Sequence, residues 1–557
     1  TDLTLRWRGL ELRVQSAHAE GDLAILVTTQ PALASPQGFP PPMGWTKAPY
    51  QKRIPLLVVQ AGILWNRPGY VHLEGDTLVG VLPGKTVRAF GTKESLPEPY
   101  IPVTGPYLAM RLDSPVGIST GQRRSLEAIQ ALVDRRRQEH AARLAAWGEF
   151  AEVYHAIQTC LAWDTIYEPE KQRVVSPVSR LWNVGWGGYV LFDWDTYFAA
   201  YLASLENRDL AYANAVEITH EKTERGFVPN FATVREVKSR DRSQPPVGSL
   251  VFRELYRRYR DRWLLEEVFE HLLEWNRWWV KARNLGGLLA WGSDPYPPVA
   301  GSGLELSGVN ELLGAALESG LDNSPMYDDL PFDAQTHLMQ LADVGLNSLY
   351  IMDCEALADI ANVLGQDAET AELRRRAQAF CQALAGLWDE ETGIFLNRRW
   401  DTGQPSQRLS PTNFYPLLAG AASQEQAERM IREHFYHPGE FWGKWILPST
   451  PRNDPAFPDQ NYWRGRIWAP MNFLVYLGLR RYDLPQARRD LAEKSKALLL
   501  KSWLEHGWVC ENYCPNTGQG GDQPNSDRFY HWGGLLGLIA LMEAGVVESP
   551  DRPLDKL

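Results

Sequence analysis

The chain has 557 residues, of which 44% are hydrophobic and 22% charged, with a formal net charge of −11. The length suits about two to four average domains, or one large domain with a smaller companion, and the acidic balance disfavours nucleic acid or an anionic membrane as the main partner, since both need a basic surface. Cys160, Cys354, Cys381, Cys510 and Cys514 form no disulfide framework or zinc pattern, TDLTLRWRGLEL lacks an apolar signal core, and no uncharged apolar run reaches the ~18 residues of a membrane span, so reduced thiols in a cytoplasm are the expectation.

Residues 1–118 read as an antiparallel β-sandwich. LTLRWRGLELRV alternates polar and apolar residues, as a half-buried strand does. DLAILVTT, IPLLVVQAGILW, YVHLEG, TLVGVLPG and YLAMRLDS are short, rich in Val, Leu and Ile, and cut by Gly, Pro or Asp. The Pro-rich stretch Ala34 to Tyr50 reads as a loop.

The pattern changes near Thr120. Residues 119–150 read as a helical linker, within a run from Arg123 to Trp163 that reads as one long or two shorter amphipathic helices whose Arg-rich face is a solvated surface. From 151 to 557 helices dominate, at 193–205, 208–219, 247–260, 261–283, 308–318, 337–364, 366–388, 422–434, 466–481, 485–504 and 531–545. Long aromatic and Gly/Pro-rich loops join them, and such loops are often functional. A large mainly α domain follows, with no short repeat of the solenoid kind.

Two acidic loops carry the chemistry. In ESGLDNSP (Glu318 to Pro325), Gly320 and Pro325 mark a turn that puts Asp322 at a helix exit. In CENYCPNTGQG (Cys510 to Gly520), Glu511 precedes a Gly-rich loop. A pair of carboxyl groups, distant in sequence and gathered in one pocket, is the usual equipment for cleaving a glycosidic bond. An Asx-turn role for Asp322 and an ion pair for Glu511 are the structural alternatives. The chain also holds 22 tryptophans, whose indoles either stack on sugar rings or fill the core.

Further candidates surround these loops. Asp193 and Asp195 flank Trp194 at a helix start, where a carboxylate caps free N–H groups or grips sugar hydroxyls. Asn230 lies in RGFVPNF. Trp463, Arg464, Gly465, Arg466 and Trp468 lie in NYWRGRIWAPMNFLV, and His531 and Trp532 lie in RFYHWGGLLGL. The tryptophans suit a sugar platform or core, the arginines an anion or an ion pair, and a lone His is more often structural.

In their order, FDWDTYF, GFVPN, ESGLDNSP, YWRGRIWAPMNFLV, ENYCPNTG and YHWGGLL resemble glycoside hydrolase family 63 and, more distantly, the inverting trehalases. The likeness covers roughly Arg180 to Gly537 and carries no motif in residues 1–118. It implies an (α/α)6 barrel after an N-terminal β-sandwich. It also implies Asp322 as general acid, Glu511 as general base, and Trp194 with Asp195 holding the innermost sugar. The reaction would invert the anomeric centre without a cofactor or metal, on a small carbohydrate; self-association stays open. The expected substrate is a terminal α-linked glucose of a di- or oligosaccharide. Glucosylglycerate or mannosylglycerate is the alternative, and its anionic aglycone needs Arg or Lys, with Arg398, Arg399, Arg464 and Arg466 as candidates. Met326-Tyr327 departs from the Arg that follows SP in many relatives, which bears on aglycone choice. A phosphorylase and a non-catalytic sugar-binding protein are the readings from other classes.

Overall fold

The computed structural model describes residues 2–7, 10–19, 21–29, 55–62, 68–97, 105–168, 171, 173–180, 188–233, 237–296, 309–548 and 550. The expected loop at 34–50 lies outside them. The chain divides into two compact units, Thr1–Gly148 and Glu149–Leu557.

The first unit is an antiparallel sandwich. Its strands are β1 (Asp2–Trp7), β2 (Leu10–Ala19), β3 (Asp22–Thr29), β4 (Leu56–Gln60), β5 (Tyr70–Glu74), β6 (Thr77–Leu82), β7 (Lys85–Gly91), β8 (Tyr107–Arg111) and β9 (Val116–Thr120). Seven of them run in the order β1-β2-β3-β9-β7-β6-β5, while β4 pairs with β8. Val27, Leu78, Val116 and Ile118 of the large sheet pack against Leu108 and Met110 of β8, with Leu57 and Val59 of β4 beside them.

Side chains alternate across a strand, so Ala24 and Leu26 of β3 face the other way. There they meet Ile129, Leu132 and Val133 of helix α1 (Leu126–Ala145). The helix expected as a linker is thus a third layer of the first unit. Its apolar residues sit at helical spacing and need a surface to cover. Ser125 caps it, its side chain accepting from the Ala128 N–H at 3.2 Å.

The second unit is an (α/α)6 barrel. Its helices are α2 (Ala151–Asp164), α3 (Asp193–Ala203), α4 (Arg208–His220), α5 (Gly248–Tyr259), α6 (Arg262–Arg283), α7 (Leu312–Glu318), α8 (Val344–Leu364), α9 (Asp367–Ala385), α10 (Tyr415–Leu418), α11 (Gln424–Met430), α12 (Ala469–Leu479), α13 (Pro485–His506) and α14 (Leu535–Glu543). Among the described residues α3, α5, α8, α10, α12 and α14 form the inner ring, each touching the next, and α14 closes onto α3.

Sequence separates the layers. DWDTYFAAYLA (α3) and APMNFLVYLGL (α12) are buried at every position, as helices apolar on most sides must be. The outer α13 keeps its Arg, Lys and Glu toward solvent and buries Leu491, Leu498 and Leu499. No helix among the described residues is long and apolar enough to cross a membrane.

Two elements differ from expectation. The helix read over 337–364 starts at Val344, because Asp343 caps it by accepting from the Leu346 N–H at 2.7 Å. Leu338–Met339 and Leu341–Ala342 are short strands instead. The inner helix α10 has no counterpart among the expected helices. Pro411 and Pro416 lie in first turns, where the missing N–H costs nothing.

Candidate active site

The loops entering α3, α5, α12 and α14 meet at one small cavity. Phe192, Trp194, Asp195, Asn230, Gln244, Leu317, Gly320, Asp322, Tyr462, Trp463, Tyr530 and Trp532 line it. A larger pocket lies elsewhere, along α8 and α9. Its charged residues include two ion pairs, Arg253 with Asp359 and Arg481 with Glu355, and among the described residues no indole lines it.

The first wall comes from α3. Strand Val190–Phe192 pairs with Phe231–Thr233, which sets Asn230 beside the helix start. The Asp193 N–H donates to the Asn230 carbonyl at 3.1 Å. Asp195 is buried and accepts from the Tyr530 hydroxyl at 2.8 Å. Burial pushes its carboxyl up to about 7, against the opposing pull of that hydrogen bond.

Indoles form the second wall. Trp463 stacks on Trp468 with centroids 3.6 Å apart and planes 9° from parallel. Trp194 and Trp532 meet edge to face at 5.6 Å. Gly320, with φ of +67°, lies against Trp194, where an added Cβ would meet the ring at 2.8 Å. Only Gly gives both that backbone and that approach.

The carboxyl groups come from different loops. Asp322 is half-buried at the wall. Glu511 is buried behind Tyr462, whose hydroxyl donates to its Oε1 at 3.0 Å. The Asp527 N–H donates to its Oε2 at 3.2 Å. The pairing of Trp468 with Asn512 holds the strand that positions Glu511. Burial raises the Glu511 carboxyl well above the ordinary range, and the charge of Asp527 adds to the rise.

The family model for the mannosylglycerate hydrolase MGH1-like glycoside hydrolase domain matches residues 188–533. The chain belongs to that family. A mannosylglycerate hydrolase MGH1 of Selaginella moellendorffii is 26% identical over 323 residues, 50% of this chain and 62% of that protein. The chain thus spans under two thirds of that relative's length. A cytosolic neutral trehalase of Kluyveromyces lactis is 29% identical over 209 residues, 35% of this chain and 27% of that protein. A solved family 63 mannosylglycerate hydrolase from Thermus thermophilus, in complex with glucose, shares the fold. Its TM-score is 0.56 at 20% identity, covering 70% of this chain and 99% of that one.

Trp194, Asp195, Asn230, Asp322, Trp463 and Trp532 line the cavity, while Arg464, Gly465, Trp468, Glu511 and His531 do not. Arg464 pairs with Asp328 and Asp459, each at 2.7 Å. Gly465 is needed where φ is +97° and a Cβ would meet the Phe457 carbonyl at 2.7 Å. Trp468 backs Trp463. His531 is fully buried and held neutral, its value pushed down to about 3 by burial. Its neighbours Tyr530 and Trp532 both face the cavity. Tyr462, Tyr530, Gln244, Leu317 and Phe192 are lining residues that the sequence reading did not name. Tyr462 and Tyr530 stood inside motifs it had singled out.

Glu318 of the ESG-x-D motif is a fully buried structural carboxylate. Arg283 reaches it twice, at 2.7 and 2.9 Å. The Ser243 and Gly292 N–H groups donate to it at 3.0 and 2.7 Å. It anchors the start of the Asp322 loop. Glu318→Ala leaves Arg283 buried with one carboxylate fewer, and about 3–5 kcal/mol of stability should be lost. Denaturant unfolding beside the wild type checks this.

Proposed function

We propose that the protein is an inverting, exo-acting α-glycosidase that hydrolyses a terminal α-linked glucose from a di- or oligosaccharide in the cytoplasm. Asp322 acts as general acid and Glu511 as general base. The observation that carries the reading is the small indole-walled cavity with Asp322 at its wall and Glu511 one hydroxyl behind it. Asn230 Oδ1, Gln244 Oε1 and Trp463 Nε1 are buried without hydrogen-bond partners among the described residues. Such atoms are costly unless a ligand meets them, and sugar hydroxyls both donate and accept.

In this mechanism Asp322 gives its proton to the glycosidic oxygen as the bond to the anomeric carbon breaks. Glu511 takes a proton from a water whose oxygen bonds that carbon on the opposite face. Two carboxyl groups about 6.5–9.5 Å apart leave room for such a water. Asp322 ends ionised and Glu511 protonated, and exchange with solvent restores both.

A neutral aglycone is favoured by the charges. Arg464 is held by Asp328 and Asp459, Arg466 by Asp522, and Arg399 by Asp401, while Arg398 donates to the Gly386 carbonyl. Asp195 and Asp322 already put carboxyl groups on the wall. The second reading, hydrolysis of glucosylglycerate or mannosylglycerate, is favoured by the names of the relatives.

Proton NMR of the enzyme with kojibiose, nigerose, maltose, trehalose, glucosylglycerate and mannosylglycerate tests both. β-Glucose appearing first from an α-glucoside supports inversion and names the linkage. Cleavage of glycerate conjugates alone favours the second reading, and α-sugar appearing first overturns the roles of both carboxyl groups. Strict dependence on phosphate would indicate a phosphorylase, and binding without turnover a non-catalytic sugar-binding protein.

A further inference from the structure

Between the two carboxyl-bearing loops runs one short segment, Asn461 to Arg464, with a bonded contact to each. On the acid side, the Asn323 side chain accepts from the Trp463 N–H at 2.9 Å and donates to the Asn461 carbonyl at 3.2 Å. Asn323 is the residue next to Asp322. Arg464 adds a contact to the Asn323 carbonyl at 3.4 Å and a bidentate pair with Asp328 at 2.7 and 3.1 Å. On the base side, the Tyr462 hydroxyl donates to Glu511 Oε1 at 3.0 Å, and the Asn525 side chain donates to Asn461 Oδ1 at 2.7 Å.

Tyr462 holds an unusual backbone for this. Its φ is +57°, a region that bulky residues enter only when their surroundings impose it. The surroundings do so here. The Trp468 indole N–H donates to the Tyr462 carbonyl at 3.1 Å, and the Tyr462 ring meets the Trp468 ring edge to face at 4.9 Å. The turned backbone aims the phenol at Glu511 while the next residue, Trp463, turns its indole to the cavity.

We propose that Tyr462 is a positioning residue that orients and ionises the general base, and that its segment sets the spacing between base and acid. This rests on the reading of Glu511 as the base. A donor on Oε1, with the Asp527 N–H on Oε2, fixes the plane of the carboxylate and favours its charged form. The same segment grips the residue beside the acid, so the two groups hold their separation through one strained link. Burial opposes ionisation of Glu511, and the phenol offsets part of that opposition.

The test is the pH profile of kcat/KM and of kcat for Tyr462→Phe, which keeps the ring and its packing. The acid limb should move up by about one pH unit, with plateau kcat down about tenfold and KM little changed. Asn323→Ala cuts the tie to the acid loop and leaves the phenol on Glu511, so kcat should fall with the limb unmoved. Tyr462→Gly also gives up the ring's packing against Trp468, so it should lose both more rate and more stability than Tyr462→Phe. A Tyr462→Phe profile that superimposes on the wild type, or one that only melts earlier, overturns the proposal. Glu511→Gln is run in the same assay. If it keeps the wild-type rate, the reading of the base has failed instead, a distinct outcome.

Discussion

Asp322→Asn is expected to lower kcat on an unactivated disaccharide by about a thousandfold, with little change in melting temperature. The amide has the shape of the acid but no acidic proton, so the leaving oxygen must depart as an alkoxide. Folding should tolerate the change because the loop is anchored by its neighbours. Glu318 is tied to Arg283, and Asn323 to Trp463 and Asn461. The loss should also depend on the leaving group. An α-glucosyl fluoride needs little protonation to depart, so on it the variant should recover to within about tenfold of the wild type. Steady-state rates on the disaccharide and the fluoride check both halves. Equal losses on the two would assign Asp322 to binding, and no loss on either would place the acid elsewhere.

Much of the fold was legible because its patterns are local. The alternation in LTLRWRGLELRV and short Val-, Leu- and Ile-rich runs such as DLAILVTT mark the strands of the first unit, and amphipathic or apolar runs mark most barrel helices. The misses have physical reasons. α10 hid because SPTNFYPLL carries two prolines, which break a helix interior yet suit a first turn. The helix at 126–145 was visible as a helix, but that it covers the sheet as a third layer depends on the opposite face of β3, which no linear pattern reports.

The site shows a similar limit. A motif says that a segment matters and leaves open which side chains face the ligand. In YWRGRIW the indole of Trp463 reaches the cavity, while Arg464, Gly465 and Trp468 build the support around it. The backbone decides this, and the turn at Tyr462 with φ of +57° is invisible in the residue types alone. In YHW, Tyr530 and Trp532 face inward and His531 is buried without reaching the cavity. Nor does spelling separate the two carboxylates of ESG-x-D. Glu318 neutralises Arg283, while Asp322 stands at the cavity wall.

Glu511→Gln is expected to cost at least a thousandfold in kcat and, at neutral pH, to raise stability. The rate loss follows from removing the group that accepts the proton of water. The stability gain follows from linkage. Burial raises the Glu511 carboxyl above its ordinary value of 4.5. Well below that value the carboxyl is protonated in both folded and unfolded chains and favours neither. As pH rises through it, the unfolded chain ionises first, so stability falls until the folded carboxyl ionises too. Gln carries no such cost, so the variant should melt higher than the wild type near pH 7, with the difference fading toward pH 4. The same raised value sets the rate profile. The base must be ionised, so the acid limb of wild-type kcat/KM should lie above the ordinary glutamate range. Melting curves at pH 4 and 7, with the rate profile, read both effects. A variant that melts lower at pH 7 would mean that Glu511 is held by an attraction stronger than its burial cost. That is the signature of a structural ion pair, as at Glu318, and it would remove the physical basis for Glu511 as the base. Loss of rate with a gain in stability is what a buried carboxylate retained for chemistry should give.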